Sequence, residues 1–325
     1  MKQLAITLGD PAGIGPEIVL KSVESLSSPV RLYGSWDLTV QTPGIGTILD
    51  SFRRLQPGSV GTGQRREFVD VGDCQAFRFG EVSADCGRIA LNSINAALDD
   101  LDSGLVRALV TAPINKKSIV AAGSSFHGHT ELLAARSGLA EYGRDYAMFF
   151  HSQALRVVLL TVHVPLASAV GMVTARAVRE IALLTVREYT RIYGAPPRMA
   201  VAGLNPHAGE GGLFGREEEA VLAGVEDARR EGVEITGPFA ADTLFRSAMR
   251  GSCDVVLALY HDQGLIPIKT VAFDCSVNVT IGLPYLRGSV DHGTAFDIAG
   301  KGIADPAPMK YAIDWTAAHA GAYAS

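Results

Sequence analysis

Three histidines occupy the same place relative to short apolar segments. His163 ends the segment LLTVH, His207 ends AGLNPH and His261 ends LALYH. Neutral imidazoles are ligands of Zn²⁺ and similar divalent ions, and the carboxyl ends of parallel strands gather at one edge of a sheet. The pattern therefore predicts one divalent metal site built from these side chains. The alternative is three unrelated histidines at the starts of loops, where this residue is also common.

Two carboxylates and two cations are further candidates for chemistry. Asp242 in the segment AADT and Asp262 beside His261 suit general acid–base catalysis, although each is equally suited to capping a helix. Lys269 and Arg287 flank an apolar stretch and suit a phosphate or a carboxylate. As isolated surface cations they would have no special role.

Two glycine clusters lie next to predicted elements. GDPAGIGPE (residues 9–17) joins a strand to a helix whose N-terminus is suited to an anion, but it is neither GxGxxG nor a P-loop. A structural turn is the alternative. GEGGLFG (209–215) follows His207 directly and is typical of a mobile loop over a ligand or of a plain turn before the next helix.

Short apolar runs alternate with longer helical patterns around these residues. This alternation predicts an α/β fold with a mostly parallel sheet covered by helices. The predicted strands are residues 4–8, 30–33, 67–71, 106–111, 146–150, 156–161, 199–203 and 255–259. The predicted helices are residues 16–23, 85–100, 174–193, 217–230 and 307–320.

The composition is that of an ordinary globular protein. The 325 residues are 47% hydrophobic and 19% charged, with a net charge of −5, which argues against disorder and allows two lobes. No basic block predicts a nucleic-acid surface, and no apolar run has the length of a membrane span. Four scattered cysteines and an N-terminus without a signal-peptide pattern predict a cytoplasmic protein with free thiols.

Six segments, in order along nearly the whole chain, resemble one enzyme family. They are LGDPAGIGPE (8–17), GHTE (128–131), NPHAGEGGLFG (205–215), GPFAADTLF (237–245), YHDQGL (260–265) and GLPYLRGSVDHGTAFDIAGKG (282–302). Together they look like the 4-hydroxythreonine-4-phosphate dehydrogenases of vitamin B6 biosynthesis. The segment HGTAFDIAGKGIADP also looks like the coenzyme-binding loop of isocitrate and isopropylmalate dehydrogenases.

The resemblance implies a two-lobed α/β/α fold of the isocitrate and isopropylmalate dehydrogenase type, with the active-site cleft between the lobes. We expect an outer lobe of residues 1–125 and 290–325, and a second lobe of residues 126–289 that carries the metal ligands and the dimer interface. The resemblance further implies a homodimer with a shared active site. It implies NAD or NADP as the hydride acceptor and one divalent ion per site, namely Zn²⁺ or else Mg²⁺, Mn²⁺ or Co²⁺.

The resemblance also assigns roles to single residues. The metal ligands are His163, His207 and His261. The substrate-binding residues are His129, Thr130, Lys269, Asn278 and Arg287, with the cations near the phosphate. The cofactor-binding residues are His292, Gly293, Thr294 and Asp297. The catalytic residues are Asp242, Asp262 and Lys269, and the sequence does not decide which aspartate relays the proton.

The implied reaction is oxidation of the secondary alcohol of a phosphorylated 3-hydroxy acid, such as 4-phosphooxy-L-threonine, followed by loss of CO₂. Two departures leave paralogous activities open: Asp10 stands where the vitamin B6 enzyme often has glutamate, and Gly288 replaces the usual threonine after Arg287. The alternatives are dehydrogenation of threonate or erythronate 4-phosphate, or of an aromatic cis-dihydrodiol carboxylate of the terephthalate dihydrodiol type. A metal-binding structural protein is the non-enzymatic alternative.

Overall fold

The computed structural model describes residues 2–74 and 77–323. These residues form two compact units, and the chain passes from unit 1 to unit 2 after Ser137 and returns at Pro284. The sequence predicted that the second lobe spans residues 126–289. The structure instead places residues 126–137 and 284–289 in unit 1. Within the described ranges, no helix is long and apolar enough to cross a bilayer.

Unit 1 contains a parallel sheet. Its strands, in their order across the sheet, are β3 (Arg53–Leu55), β4 (Arg66–Asp70), β2 (Val30–Gly34), β1 (Gln3–Thr7), β5 (Val106–Thr111) and β12 (Arg287–Ser289). Each neighbouring pair in this series is parallel. The sequence predicted β1, β2, β4 and β5, whereas β3 and β12 were missed because three residues carry too little apolar periodicity to be recognised.

Several helices of unit 1 begin at residues whose side chains cap them. The Ser83 side chain accepts a hydrogen bond from the Cys86 amide at the start of one helix, and Asn115 accepts two from the Lys117 and Ser118 amides at the start of another. The helices are α1 (Gly15–Val23), α2 (Trp36–Thr39), α3 (Ala84–Asp102), α4 (Lys116–Ala121), α5 (His129–Arg136) and α11 (Ala307–His319), with 3-10 turns at Ile48–Ser51 and Ala320–Tyr323.

Unit 2 contains a mixed sheet. Its strands, in their order across the sheet, are β11 (Ser276–Ile281), β6 (Ala147–Ser152), β7 (Arg156–Leu159), β10 (Val255–Ala258), β8 (Met199–Ala202) and β9 (Ile235–Phe239). β6 is antiparallel to both neighbours, and the remaining pairs are parallel. The prediction missed β9, which contains a Gly-Pro pair typical of turns, and β11, whose sequence SVNVTI alternates polar and apolar residues although all are buried.

Helices cover the sheet of unit 2 and bury its core. They are α6 (Leu166–Met172), α7 (Ala175–Tyr193), α8 (Glu218–Arg230), α9 (Ala241–Ala248) and α10 (His261–Ala272). α7 begins at Thr174, whose side chain accepts a hydrogen bond from the Ala177 amide, and ends at Gly194 with a left-handed φ of 82°. The core includes Phe150, Val157, Phe245, Val256 and Ile268.

Candidate active site

The three histidine segments leave neighbouring strands of unit 2. β7, β10 and β8 are adjacent and parallel, and their register aligns Leu159 with Ala258 and Val201 with Leu257. Their carboxyl ends therefore lie side by side, as the sequence predicted. His163 follows β7 in a loop, His261 is the first residue of α10, and His207 lies in a 3-10 segment, Pro206–Gly212, after β8.

His163 and His261 lie together. Their ring centroids are 5.7 Å apart and the rings are tilted by 42°. A zinc ion lies about 2.1 Å from an imidazole nitrogen and hence about 3.2 Å from the ring centre, so two rings on one tetrahedral ion are about 5 Å apart. The spacing of the pair fits a shared ion. Asp262 Oδ1 lies 2.7 Å from His261 Nδ1, within hydrogen-bonding distance. This contact leaves Nε2 as the ring nitrogen that can bind a metal.

His207 lies in a left-handed turn. Five consecutive residues from His207 to Gly211 have positive φ, at 53°, 51°, 76°, 44° and 65°, and the φ of His163 is also positive, at 49°. Left-handed backbone costs about 1–2 kcal/mol for each residue with a Cβ. Such strain is concentrated at functional sites.

Two carboxylates hold this turn in place. Asn205 donates from its amide to Glu218 Oε1 at 2.6 Å, and its Nδ2 donates to Glu217 Oε2 at 2.7 Å and Glu218 Oε2 at 2.9 Å. A Cβ on Gly209 would lie 2.7 Å from Glu218 Oε2. The left-handed φ and the nearby carboxylate therefore both favour glycine at position 209.

One chain does not assemble the whole predicted donor set. Across residues 2–74 and 77–323, no group of three His, Cys, Asp or Glu side chains is placed to hold a metal ion. The structure brings His163 and His261 together and leaves His207 outside that pair.

A cavity of about 320 Å³ opens beside the histidine pair. Its polar lining residues are Thr161, His163, Tyr260, His261 and Asp262, and its apolar ones are Val162, Val164, Leu166 and Ala169. A small organic molecule that carries both polar and apolar groups would match this lining.

Unit 1 contains a second cluster of predicted site residues. Arg287 is 2% exposed, and its guanidinium Nη2 donates to Thr111 Oγ1 at 2.6 Å. Burial lowers the pKa of Arg287 to about 10. Arg287 nevertheless stays protonated at neutral pH, so this unit holds a desolvated positive charge.

His129 and Thr130 begin α5 beside this charge. Burial, followed by the charge of Arg287, holds the pKa of His129 well below its usual range, so the imidazole is neutral. His129 Nε2 is buried and has no hydrogen-bond partner within the described ranges. The first amides of a helix also favour an anion. A buried arginine, a neutral imidazole and a helix N-terminus together suit a phosphate group.

The other predicted substrate and acid–base residues lie in unit 2. Lys269 is half-buried in the last turn of α10, and Asn278 is 8% exposed on β11, opposite Phe150 of β6. Asp242 is exposed in the first turn of α9, whose N-cap is Ala240. The other candidate aspartate, Asp262, contacts the predicted metal ligand His261.

The N-terminal glycine turn is filled by its neighbours. A Cβ on Gly9 would lie 2.1 Å from the Pro113 carbonyl oxygen, and one on Gly15 would lie 2.1 Å from the Leu8 carbonyl oxygen. Asp10 is fully buried and accepts a hydrogen bond from the Ala12 amide at 2.9 Å, and burial raises its pKa. This close packing supports the structural turn rather than a phosphate loop.

The predicted coenzyme loop is anchored on one side and open on the other. The Thr294 carbonyl oxygen accepts from the Ile14 amide at 3.0 Å, and the Thr294 side chain packs against Gly13. Further along, buried Glu17 accepts from the Ala304 amide at 2.8 Å. A Cβ on Gly293 would meet nothing within 4 Å, and Asp297 is exposed. The loop therefore presents open backbone of the kind that a dinucleotide requires.

Solved structures define the fold class. Isocitrate dehydrogenase from Methylococcus capsulatus is 15% identical with a TM-score of 0.50, over 99% of this chain and 87% of that one. At this identity the likeness concerns the fold alone. The α/β fold of the isocitrate dehydrogenase class, predicted from the sequence, is confirmed.

The chain belongs to the family of the pyridoxal phosphate biosynthetic protein PdxA, whose model matches residues 32–316. The 4-hydroxythreonine-4-phosphate dehydrogenase of Desulfosudis oleivorans is 41% identical over 96% of this chain and 94% of its own length. The D-threonate 4-phosphate dehydrogenase of Salmonella typhimurium is 38% identical over 96% and 97%. The predicted family is therefore confirmed.

Two solved structures agree with this assignment. The 4-hydroxythreonine-4-phosphate dehydrogenase of Klebsiella pneumoniae has a TM-score of 0.85 and 38% identity, over 98% of this chain and 100% of that one. A terephthalate 1,2-cis-dihydrodiol dehydrogenase of Burkholderia xenovorans has a TM-score of 0.65 and 33% identity, over 98% of both chains. Proteins of this shape thus include dehydrogenases named for both phosphorylated and aromatic substrates.

Proposed function

We propose that this protein is a metal-dependent NAD or NADP dehydrogenase that oxidises the secondary alcohol of a phosphorylated 3-hydroxy acid and then releases CO₂. The observation that carries the proposal is the buried Arg287 beside His129 at the start of α5. A desolvated cation next to a neutral imidazole is an expensive arrangement in the free protein, and it is suited to a dianionic ligand. The relatives named for phosphorylated substrates support the same assignment.

The phosphate end of the substrate would be held by unit 1. Arg287 supplies parallel N–H donors that match two phosphate oxygens, which lysine cannot do. His129 Nε2 and the first amides of α5 supply neutral donors. We also assign Lys269 and Asn278 to substrate binding, in line with the family resemblance.

The metal centre would be held by His163, His207 and His261. These residues would hold a divalent ion, with zinc preferred and Mg²⁺, Mn²⁺ or Co²⁺ as alternatives, and such an ion would lower the pKa of the substrate hydroxyl and stabilise the negative charge on its oxygen. Asp262 would orient the His261 ring through Nδ1 and leave Nε2 to bind the metal. We also assign Asp262 as the proton relay, because its carboxylate lies against the metal ligand His261. Asp242 and Lys269 remain the other candidate catalytic groups.

The coenzyme would bind at His292, Gly293, Thr294 and Asp297. NAD or NADP held there would supply the hydride acceptor for the carbinol carbon. The loop that carries these residues is held by Glu17 and Thr294, so its open backbone at Gly293 is fixed before the coenzyme arrives. Fixed donors lose little entropy on binding.

We propose a homodimer whose interface lies in unit 2. Large apolar side chains are exposed on α6, on α10 and directly after α10: Leu166 is 58% exposed, Ile266 63% and Phe273 56%. Exposed apolar groups of this kind mark interfaces. A second copy seated there would border the metal site, in line with the shared active site that the family resemblance implies. The four free cysteines suit a reducing compartment, and we place the enzyme in the cytoplasm.

NADH formation should decide the substrate. We expect turnover with 4-phosphooxy-L-threonine or with threonate or erythronate 4-phosphate, and none with a cis-dihydrodiol carboxylate, because the latter has no phosphate for Arg287. His163→Ala is the control for metal-dependent turnover. Activity with the unphosphorylated diol, unchanged in Arg287→Met, would establish the dihydrodiol function instead. Absence of NADH with every substrate and metal would refute the dehydrogenase.

A further inference from the structure

A chain of buried hydrogen bonds connects the three strand ends that precede the histidines. Thr161 Oγ1 donates to the Leu259 carbonyl oxygen at 2.9 Å. The Leu259 amide donates to Gln263 Oε1 at 2.7 Å. Gln263 Nε2 then donates to the Gly203 carbonyl oxygen at 2.7 Å. Together, these bonds link the three segments that precede the predicted metal ligands His163, His261 and His207.

The middle of this chain is one side-chain amide. Gln263 is 8% exposed, and its acceptor and donor atoms bind two different strand ends at once. Thr161 is 2% exposed and Leu259 is fully buried, so water does not compete for these bonds. A buried donor or acceptor that loses its partner costs about 1–3 kcal/mol, so the arrangement is strongly preferred over one in which the strand ends separate.

We propose that Gln263 is a positioning residue that fixes the relative placement of the His261 and His207 segments, while Thr161 ties the His163 segment to the same point. This inference rests on the proposed metal function and goes beyond it, since the Gln263 amide binds backbone atoms and not a predicted metal ligand. A metal site tolerates only about 0.5 Å of error in its ligands. Glu217 and Glu218 hold the His207 turn at Asn205, whereas the Gln263 bond at Gly203 joins that segment to the His261 segment.

Gln263→Glu and Gln263→Leu distinguish the bond to the Leu259 amide from the bond to the Gly203 carbonyl. Glutamate keeps an acceptor for the Leu259 amide but turns an oxygen towards the Gly203 carbonyl, whereas leucine removes both bonds. The matched control is Gln3→Leu in unit 1, because Gln3 is 9% exposed and its Nε2 also donates to two backbone carbonyls, of Val30 at 3.3 Å and Gln64 at 3.0 Å. Thr161→Val, with Thr185→Val in α7 as its control, removes the third bond.

Cobalt titration followed by d–d absorption measures the effect on the metal centre. We expect Gln263→Leu to weaken Co²⁺ binding by about 10–100-fold and to change the band shape, as loss of an outer partner of metal ligands does elsewhere. Gln263→Glu and Thr161→Val should fall between this variant and wild type. The controls should lose thermal stability yet keep the cobalt affinity and spectrum of wild type.

Amide hydrogen exchange of the metal-free protein gives a second, independent readout. We expect faster exchange in peptides covering residues 200–208 and 257–263 of Gln263→Leu, and no such local change in Gln3→Leu. Wild-type exchange in these peptides together with wild-type cobalt affinity would overturn the role of Gln263. If instead wild type and His261→Ala bound cobalt equally, the proposed metal function would fail, and the exchange rates would still decide whether Gln263 fixes the strand ends.

Discussion

Replacing Arg287 by methionine should stabilise the ligand-free protein while removing its affinity for phosphate. Burial lowers the pKa of Arg287 to about 10, and each pKa unit corresponds to about 1.4 kcal/mol, so holding the charge in the folded state costs about 3 kcal/mol. Because this pKa is lowered and not raised, the cost is present throughout the range below pH 10. Methionine fills much of the space of the arginine stem without a charge.

The gain is partly offset by lost contacts. The bond from Arg287 to Thr111 Oγ1 contributes about 1 kcal/mol, and other contacts of the side chain are lost with it. A net gain of about 1 kcal/mol remains, which raises the melting temperature of a unit of this size by about 2–4 °C. For the ligand, loss of a charged bidentate contact of about 3 kcal/mol corresponds to about a 100-fold weaker affinity.

Thermal melts with and without inorganic phosphate, together with KM for the phosphorylated substrate, test both the gain in stability and the loss of phosphate affinity. Wild type should gain stability from phosphate, and Arg287→Met should start higher and gain nothing. A variant that melts well below wild type and keeps its phosphate-dependent gain would refute the reasoning, because the arginine would then be a structural residue.

Three further predictions concern the other parts of the site. His207→Ala should lose bound metal and turnover while keeping its melting temperature within a few degrees, which metal analysis and calorimetry check; full activity after chelation would contradict this. Gly209→Ala should destabilise the protein by more than the roughly 1 kcal/mol of left-handed strain, since its Cβ would meet Glu218. Gly211→Ala in the same turn is the control, because its Cβ would meet nothing within 4 Å and should cost the strain alone. Because the pKa of His129 is lowered in the folded state, the unfolded chain binds more protons, and the free energy of unfolding should fall as pH drops from about 7 to 5. Thermal melts at stepped pH should show a smaller pH dependence of stability in His129→Gln. An unchanged pH dependence would show that His129 is not desolvated.

The sequence predicted elements that are long and regular. β1, β5, β10, α3 and α7 were recognised because apolar periodicity and capping residues are local properties of the chain. β12 and α5 were missed, although they carry Arg287 and His129, because a three-residue strand and an eight-residue helix present too short a pattern.

The roles of Gln263 and Glu218 show a second limit. Gln263 lies inside the recognised segment YHDQGL, yet nothing local indicates that its amide bridges Leu259 and Gly203. Glu218 reads as an ordinary acidic residue at a helix start, whereas in the structure it holds Asn205 ahead of the His207 turn. Both contacts depend on which strand ends become neighbours.

The sequence by itself determined that three histidines follow buried strands, because strand burial and the residue after it are encoded side by side. Only the tertiary structure decided that His163 and His261 form a pair 5.7 Å apart and that His207 lies outside it in a left-handed turn. The physical reason is that β7 and β10 are adjacent in the sheet although far apart in the chain. Sheet order and the bonds between strand ends arise from long-range packing, and no local pattern contains them.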